Sequence, residues 1–189
     1  MNESTIRFGT DGWRAIIAED FTFANVRACA QATAHYVKEA GLAERGMVVG
    51  YDTRFASEDF AAAVAEVLAG NGIPVYLCDR PAPTPVVGYA ILKRGAAGSV
   101  VITASHNARE YSGFKVRTEY AGSAPPEVLG RIEALLPRSR KPLRLPLAEA
   151  KAKGLVEIFD PTPEYLAHVA GLVDLEGLQA AGLRVVVDS

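Results

Sequence analysis

The sequence predicts an α/β fold: a three-layer α/β/α arrangement around a mixed, largely parallel sheet. Three observations predict it. Short, β-branched apolar runs of strand length recur between residues 46 and 104. Segments with helical periodicity separate them. The strand–helix–strand order at these lengths implies crossover connections, hence parallel neighbours covered by helices.

The elements follow in order. Residues 21–41 (FTFANVRACAQATAHYVKEAG) read as a helix capped by Thr22. Val26, Ala30, Thr33 and Val37 form one stripe, and Gly41 marks its end. Residues 46–52 (GMVVGYD) are a short buried strand. Residues 57–72 form a helix with Ser57 as N-cap and Phe60, Val64, Val67 and Leu68 facing inward; Gly70 or Gly72 stops it. Residues 73–79 (IPVYLCD) are the next strand, 84–95 a helix after a proline-rich entry, and 99–104 (SVVITA) a third strand. Residues 114–120 (FKVRTEY) return as an added, antiparallel strand, with Phe114 and Val116 on one face and Lys115 and Arg117 on the other. Residues 125–137 form a helix with proline in its first turn.

The pattern changes near residue 140. PRSRKPLR (137–144) reads as a solvated connector. A short helix (148–154), a strand (155–160), a helix (161–173) and a strand LRVVVD (183–188) follow. A parallel strand normally leads into a crossover helix, so this ending reads as the beginning of a second, truncated domain. The expected division is 1–145 for the first α/β/α domain and 146–189 for the linker and the start of a second α/β domain.

Composition narrows the functions. The chain has 189 residues, 49% hydrophobic and 22% charged, enough for one real core. A net charge of -2 argues against a nucleic-acid partner bound through bulk charge. No apolar run approaches a membrane span, and MNESTIRFGT lacks a signal-peptide core, so the expected location is cytoplasmic and no membrane partner is expected. Cys29 and Cys78 lie in apolar contexts and read as buried free thiols; their spacing and the scattered histidines give no zinc pattern.

Chemistry concentrates at the strand exits. TASHNAREYSGFK (103–115) places Ser105, His106 and Asn107 after a buried strand, with Lys115 on the return. In parallel sheets, ligands gather at the carboxyl ends of strands. Ser105 is either a turn serine or a nucleophile and phosphate carrier. A hydrolase elbow G-x-S-x-G is absent, and His106 is too close in sequence to be a triad base. No dinucleotide or Walker glycine motif occurs. FGTDGWRA (8–15) places Thr10, Asp11 and Arg14 around a glycine turn; GYDTRFASED (50–59) places Asp52, Thr53 and Arg54 at another strand end. Backbone N–H groups and guanidinium forks suit an anion. Three such turns could converge on one anionic ligand.

Together FGTDGWRAIIAEDF, YDTRFASEDF, PAPTP and TASHNAREYSGFKV resemble the first domain of the α-D-phosphohexomutases, in the right order over residues 6 to about 120. The later LRVVVD resembles the first strand of that family's second domain. The resemblance implies interconversion of hexose 1-phosphate and hexose 6-phosphate, with glucose favoured and mannose possible. Ser105 would carry the phosphoryl group, and a sugar bisphosphate, glucose 1,6-bisphosphate, would be the intermediate and activator. Lys115 and Arg14 match residues near the phosphoserine; Arg14 suits charge stabilisation, since a guanidinium is an awkward general base. His106 joins them as a catalytic candidate, and Thr10, Arg54 and Asn107 as candidate phosphate contacts.

The family uses Mg²⁺ at the serine phosphate, held by aspartates of a D-G-D-G-D-R loop. No D-x-D occurs in this chain, so Ser105 would be its one metal contact. The implied partners are a hexose phosphate and the remaining domains of the same enzyme, without which the fragment would be inactive. Two departures stand out: Ala108 replaces the usual proline, and Ser112 the usual asparagine. A non-catalytic mutase-like binding module is the alternative, and another serine-based transferase the third reading.

Overall fold

A computed structural model describes residues 6–139 and 141–188. Six strands form one sheet: β1 (Trp13–Ile16), β2 (Met47–Tyr51), β3 (Val75–Cys78), β4 (Gly98–Ile102), β5 (Tyr111–Thr118) and β6 (Val156–Phe159). Their order is β1-β5-β4-β2-β3-β6. β4, β2, β3 and β6 run parallel; β5 is antiparallel to both β4 and β1. The helices are α1 (Phe23–Glu39), α2 (Ser57–Gly70), α3 (Thr84–Arg94), α4 (Pro126–Leu135), α5 (Leu147–Ala152), α6 (Thr162–Ala170) and α7 (Leu175–Ala180).

The crossovers set the layers. From β2 the chain passes through α2 to β3; from β3 it returns through α3, past β2, to β4. Right-handed connections running in opposite directions place their helices on opposite faces. Accordingly α2 packs with α1, and α1 with α4, while α3 packs on β2 and β4 with α6 outside it. This is the expected three-layer mixed α/β architecture.

Most helix ends follow local chemistry. Thr22 caps α1 by accepting from Asn25 N–H at 3.3 Å. Gly95, in the left-handed region at φ 60°, ends α3. The cap expected at Ser57 is different. Ala56 is the N-cap at φ 56° and gives no side-chain cap bond. Ser57 is already helical, and its hydroxyl donates to Asp52 Oδ1 at 2.7 Å.

The core reaches from sheet to helices through aromatic contacts. Trp13 stacks on Phe21 with ring centroids 5.0 Å apart, and Phe21 meets Phe60 edge-on at 4.9 Å. This anchors the short edge strand β1 and so fixes the base of Arg14. On the opposite face α3 approaches so closely that a Cβ at Gly50 would lie 2.5 Å from Val87 Cγ2. Gly50→Ala should therefore lower stability by about 1–3 kcal/mol. In urea unfolding, a Val87→Ala background should recover part of that loss; additive losses would contradict the contact.

Several regions depart from expectation. β1 is an additional strand. β5 begins at Tyr111 rather than 114, so Ser112 and Gly113 lie in the ladder. PRSRKPLR is strapped to the helices rather than merely solvated: Leu143 N–H donates to Gln31 Oε1 at 2.8 Å, Leu145 N–H to Glu66 O at 3.0 Å, and Arg144 pairs with Glu66 at 2.7 Å. A Cβ on Gly70 would meet Arg144 backbone at 2.8 Å, so the strap requires a glycine there. Arg140 lies outside the described residues.

Beyond the strap, β6 pairs parallel with β3, from Val75↔Val156 to Cys78↔Phe159. The strand expected to open a second domain thus forms the edge of the first sheet. Residues 183–188 form no strand. Leu183, Val185, Val186 and Val187 are exposed without a ladder partner. α7 is an additional helix. Cys29 and Cys78 are buried thiols in no disulfide, as expected, and burial pushes the Cys78 thiol up to about 12.

Candidate functional site

β2 and β4 are neighbours whose chain exits diverge. β2 leads into α2 toward β3, and β4 turns back into β5 on the other side. Such a switch point leaves a crevice at the strands' carboxyl ends. Asp52 N–H donates to Ile102 O at 3.0 Å and joins the two exits. An open cleft of about 850 Å³ lies over them, lined by Asp52, Arg54, Phe55, Thr103, Ser105 and Asn107 among others.

Ser105 sits in the left-handed region at φ 58°. That conformation costs a non-glycine residue about 1–2 kcal/mol. Its N–H donates to Thr103 Oγ1 at 3.0 Å. Its exposed hydroxyl has His106 Nδ1 at 3.5 Å, the outer limit of a hydrogen bond. The serine backbone is therefore held while its oxygen remains open to the cleft.

Arg54 does the holding. Nη2 donates to Ser105 O at 2.9 Å and Asn107 O at 2.6 Å; Nη1 donates to Ala108 O at 2.8 Å and Tyr111 O at 3.0 Å. Nε lies 3.3 Å from Asp52 Oδ2. The two terminal nitrogens thus spend their donors on loop carbonyls, and Nε faces Asp52. The expectation that Arg54 contacts substrate phosphate meets a guanidinium turned toward loop carbonyls.

Arg14 approaches from β1. Its register partner is Gly113, whose carbonyl accepts from Thr103 N–H at 2.9 Å. Arg14 Nη1 donates to Asn107 Oδ1 at 2.6 Å, which orients that amide. A Cβ on Gly113 would lie 2.4 Å from Thr103 O and 3.1 Å from Arg14 Cγ, so this close crossing needs glycine.

Lys115 is only 6% exposed. Its Nζ donates to Asp11 Oδ2 at 2.5 Å. Ser123 Oγ donates to Asp11 Oδ1 at 3.0 Å, and Arg14 Nη2 lies 4.0 Å from Oδ2. Burial pushes the Asp11 carboxyl up. The bonds from Lys115 and Ser123 and the charges of Lys115 and Arg117 outweigh that and hold it below the ordinary range. No hydrogen bond joins Lys115 to Ser105 among the described residues. Asp11 and Asp52, which the sequence shows only as members of their turns, are orienting groups; each stands within three residues of an arginine it faces.

Ser105, His106, Asn107, Arg14 and Arg54 are thus brought together, with Lys115 joined through Asp11 and Arg14. Thr10 does not line the cleft; it is exposed in a hollow of about 310 Å³ that it shares with Asp11 and Arg14. Of the two departures, Ala108 contributes its carbonyl, which a proline would also supply. Ser112 is fully buried and its hydroxyl has no partner. Ser112→Ala should therefore be neutral or raise stability by up to about 1–2 kcal/mol in urea unfolding. Among the described residues no three His, Cys, Asp or Glu side chains are grouped to hold a metal, and no helix is long and apolar enough to cross a membrane.

Comparison with known proteins gives the family and the fold. Residues 5–142 match the family model for phosphoglucomutase/phosphomannomutase, alpha/beta/alpha domain I. The human glucose 1,6-bisphosphate synthase is 40% identical over 123 residues, 59% of this chain and 20% of that protein. A Staphylococcus epidermidis phosphoglucomutase is 32% identical over 98% of this chain and 35% of its own length. A solved Thermus thermophilus structure, provisionally named a phosphomannomutase, is 37% identical with a TM-score of 0.80, covering 94% of this chain and 38% of that one. The chain spans about a fifth to two-fifths of the lengths of these relatives.

Proposed function

The chain belongs to the phosphoglucomutase/phosphomannomutase family, as its α/β/α domain I, and on that premise we propose that Ser105 is the phosphoryl carrier of a hexose phosphate mutase. One observation carries the reading. An exposed serine is held at φ 58°, a conformation in which the side chain gains no structural bond closer than 3.5 Å. Strain kept at an open hydroxyl, in a crevice at a switch point, supports the reading of a positioned reacting group.

The transfer balances simply. A sugar hydroxyl attacks the phosphorus of phospho-Ser105. The bond from phosphorus to Ser105 Oγ breaks, and a bond to the sugar oxygen forms. The hydroxyl gives up one proton and the serine oxygen takes one up. The reverse step uses the other phosphate of the sugar bisphosphate and leaves the isomer. Such reactions depend on positioning and on neutralising phosphate charge. Arg14 supplies fixed positive charge through the donors it does not spend on Asn107. Lys115, paired with Asp11, supplies a second positive charge and is the candidate for proton exchange. His106 is free to contact the serine phosphate.

Mg²⁺ at the serine phosphate is part of this proposal, and it would neutralise charge there. Ser105 is the one ligand assigned in this chain, whose described residues offer no carboxylate group of three to complete a site. The other ligands and the sugar-selecting groups are assigned to parts of the enzyme outside residues 1–189. We also place the start of the second domain after β6, since β6 closes the first sheet.

Glucose is the favoured sugar and mannose the second, in line with the names of the relatives. The test is conversion of glucose 1-phosphate to glucose 6-phosphate by the protein expressed from its complete gene, started with glucose 1,6-bisphosphate. Turnover of the glucose or mannose phosphate is expected. Tight binding of both without turnover would favour the non-catalytic module.

A further inference from the structure

We infer that Arg54 is a positioning residue for Ser105, not a phosphate ligand. This rests on the reading of Ser105 as phosphoryl carrier. The loop from 103 to 111 has little rigidity of its own. Ala108 stands where a proline would restrict the chain, and Ser105 is held in a conformation that serine disfavours. Three internal bonds span it: Ser105 N–H to Thr103 Oγ1, Asn107 N–H to Ala104 O at 3.2 Å, and Tyr111 N–H to Ala108 O at 3.1 Å. Those bonds close small turns and do not fix the loop against the sheet.

The Arg54 guanidinium does, alongside Arg14 Nη1 on Asn107 Oδ1 and Ile17 N–H on Glu110 O. It reaches from the exit of β2 and takes four carbonyls of the β4–β5 loop, those of residues 105, 107, 108 and 111, on its two terminal nitrogens. Asp52 sets the arginine from behind. Its Oδ1 accepts from Arg54 N–H at 3.0 Å and from the Ser57 hydroxyl, and its Oδ2 faces Nε. Asp52, Arg54 and Ser57 thus couple the start of α2 to the backbone of Ser105. The planar fork is required: a lysine ammonium offers three donors from one atom and cannot span four carbonyls.

The clamp and the phosphate-ligand roles separate experimentally. Arg54→Lys and Arg54→Ala are compared with the unaltered protein, each first shown to unfold cooperatively. Amide hydrogen exchange at Asn107 and Tyr111 should speed up at least about tenfold in both variants, while the β2 and β3 amides keep their protection. In the complete enzyme, kcat should fall about 10²-fold or more with KM for the sugar phosphate little changed, as expected when a reacting atom is misplaced. Methylguanidinium should restore part of the Arg54→Ala rate, and methylammonium should not.

Unchanged exchange at Asn107 and Tyr111 in Arg54→Ala would overturn the clamp. So would a raised KM with unaltered kcat, which marks a phosphate ligand. Full activity of Arg54→Lys would overturn it as well. If the unaltered enzyme takes no phosphate on Ser105, the carrier reading fails, and the exchange experiment still decides whether Arg54 holds the loop.

Discussion

Ser105→Gly is expected to make the protein more stable and catalytically inert. Glycine enters the left-handed region without the Cβ clash that serine carries at φ 58°. Relief of about 1–2 kcal/mol of strain is partly offset by the greater freedom of glycine in the unfolded chain. The net gain should be roughly 0.5–1 kcal/mol in urea unfolding. Ser105→Ala keeps the strain and loses only a 3.5 Å contact, so it should stay within about 0.5 kcal/mol of the unaltered protein. Both substitutions remove the oxygen that takes the phosphoryl group. Mutase activity should fall by upward of about 10⁴-fold in each, as when a covalent nucleophile is deleted. A gain in stability at the cost of all activity would mark residue 105 as chosen for chemistry. A less stable Ser105→Gly would contradict the strain argument, and an active one the chemical role.

Asp11→Ala is expected to cost about 1–3 kcal/mol near neutral pH and to slow turnover about 10²-fold. It leaves the buried Lys115 ammonium without its carboxylate and frees the Ser123 hydroxyl. Removing one member of a buried ion pair strands the other charge. Asp11 is about one-third exposed, so water softens that loss. The pH dependence has a definite sign. The folded carboxyl lies below its ordinary value of 3.8. Its stabilising contribution is complete above that value and disappears as pH falls through the lower, folded one. The stability gap between the unaltered protein and Asp11→Ala should thus be constant near neutrality and close in acid below 3.8. Urea titrations at several pH values read this directly. A gap that persists in acid would show that Asp11 acts through packing alone.

Much of this architecture was legible in periodicity. α1, α2 and α3 and the strands between them follow apolar stripes and turn residues, because each buries its own pattern against the same core. The misses have physical causes. LRVVVD has strand composition, yet a strand exists only where a neighbour supplies a ladder, and none meets residues 183–188. The edge strand β1 is four residues long and is held by Phe21 and β5 rather than by its own propensity. β6 reads as the start of a new domain because a connector precedes it; its partner β3 lies far earlier in the chain.

The site divides in the same way. Ser105 and Asn107 were visible because strand exits concentrate ligand contacts, and Arg14 because a glycine turn with a guanidinium suits an anion; the structure does gather them. Arg54 was seen but its direction was not: an arginine after a strand reads alike whether its fork meets phosphate or carbonyls. Asp11 was hidden inside a plausible glycine turn. Its importance comes from Lys115, 104 residues away. Thr10 shared that turn but faces another hollow.

The most direct measurement is peptide-level mass analysis of the protein expressed from its complete gene, after incubation with glucose 1,6-bisphosphate. The expected result is one added phosphate on Ser105, lost again when excess glucose 1-phosphate or glucose 6-phosphate is supplied, and absent in Ser105→Ala. Phosphate on another residue, or mutase turnover with Ser105 never modified, would contradict the account.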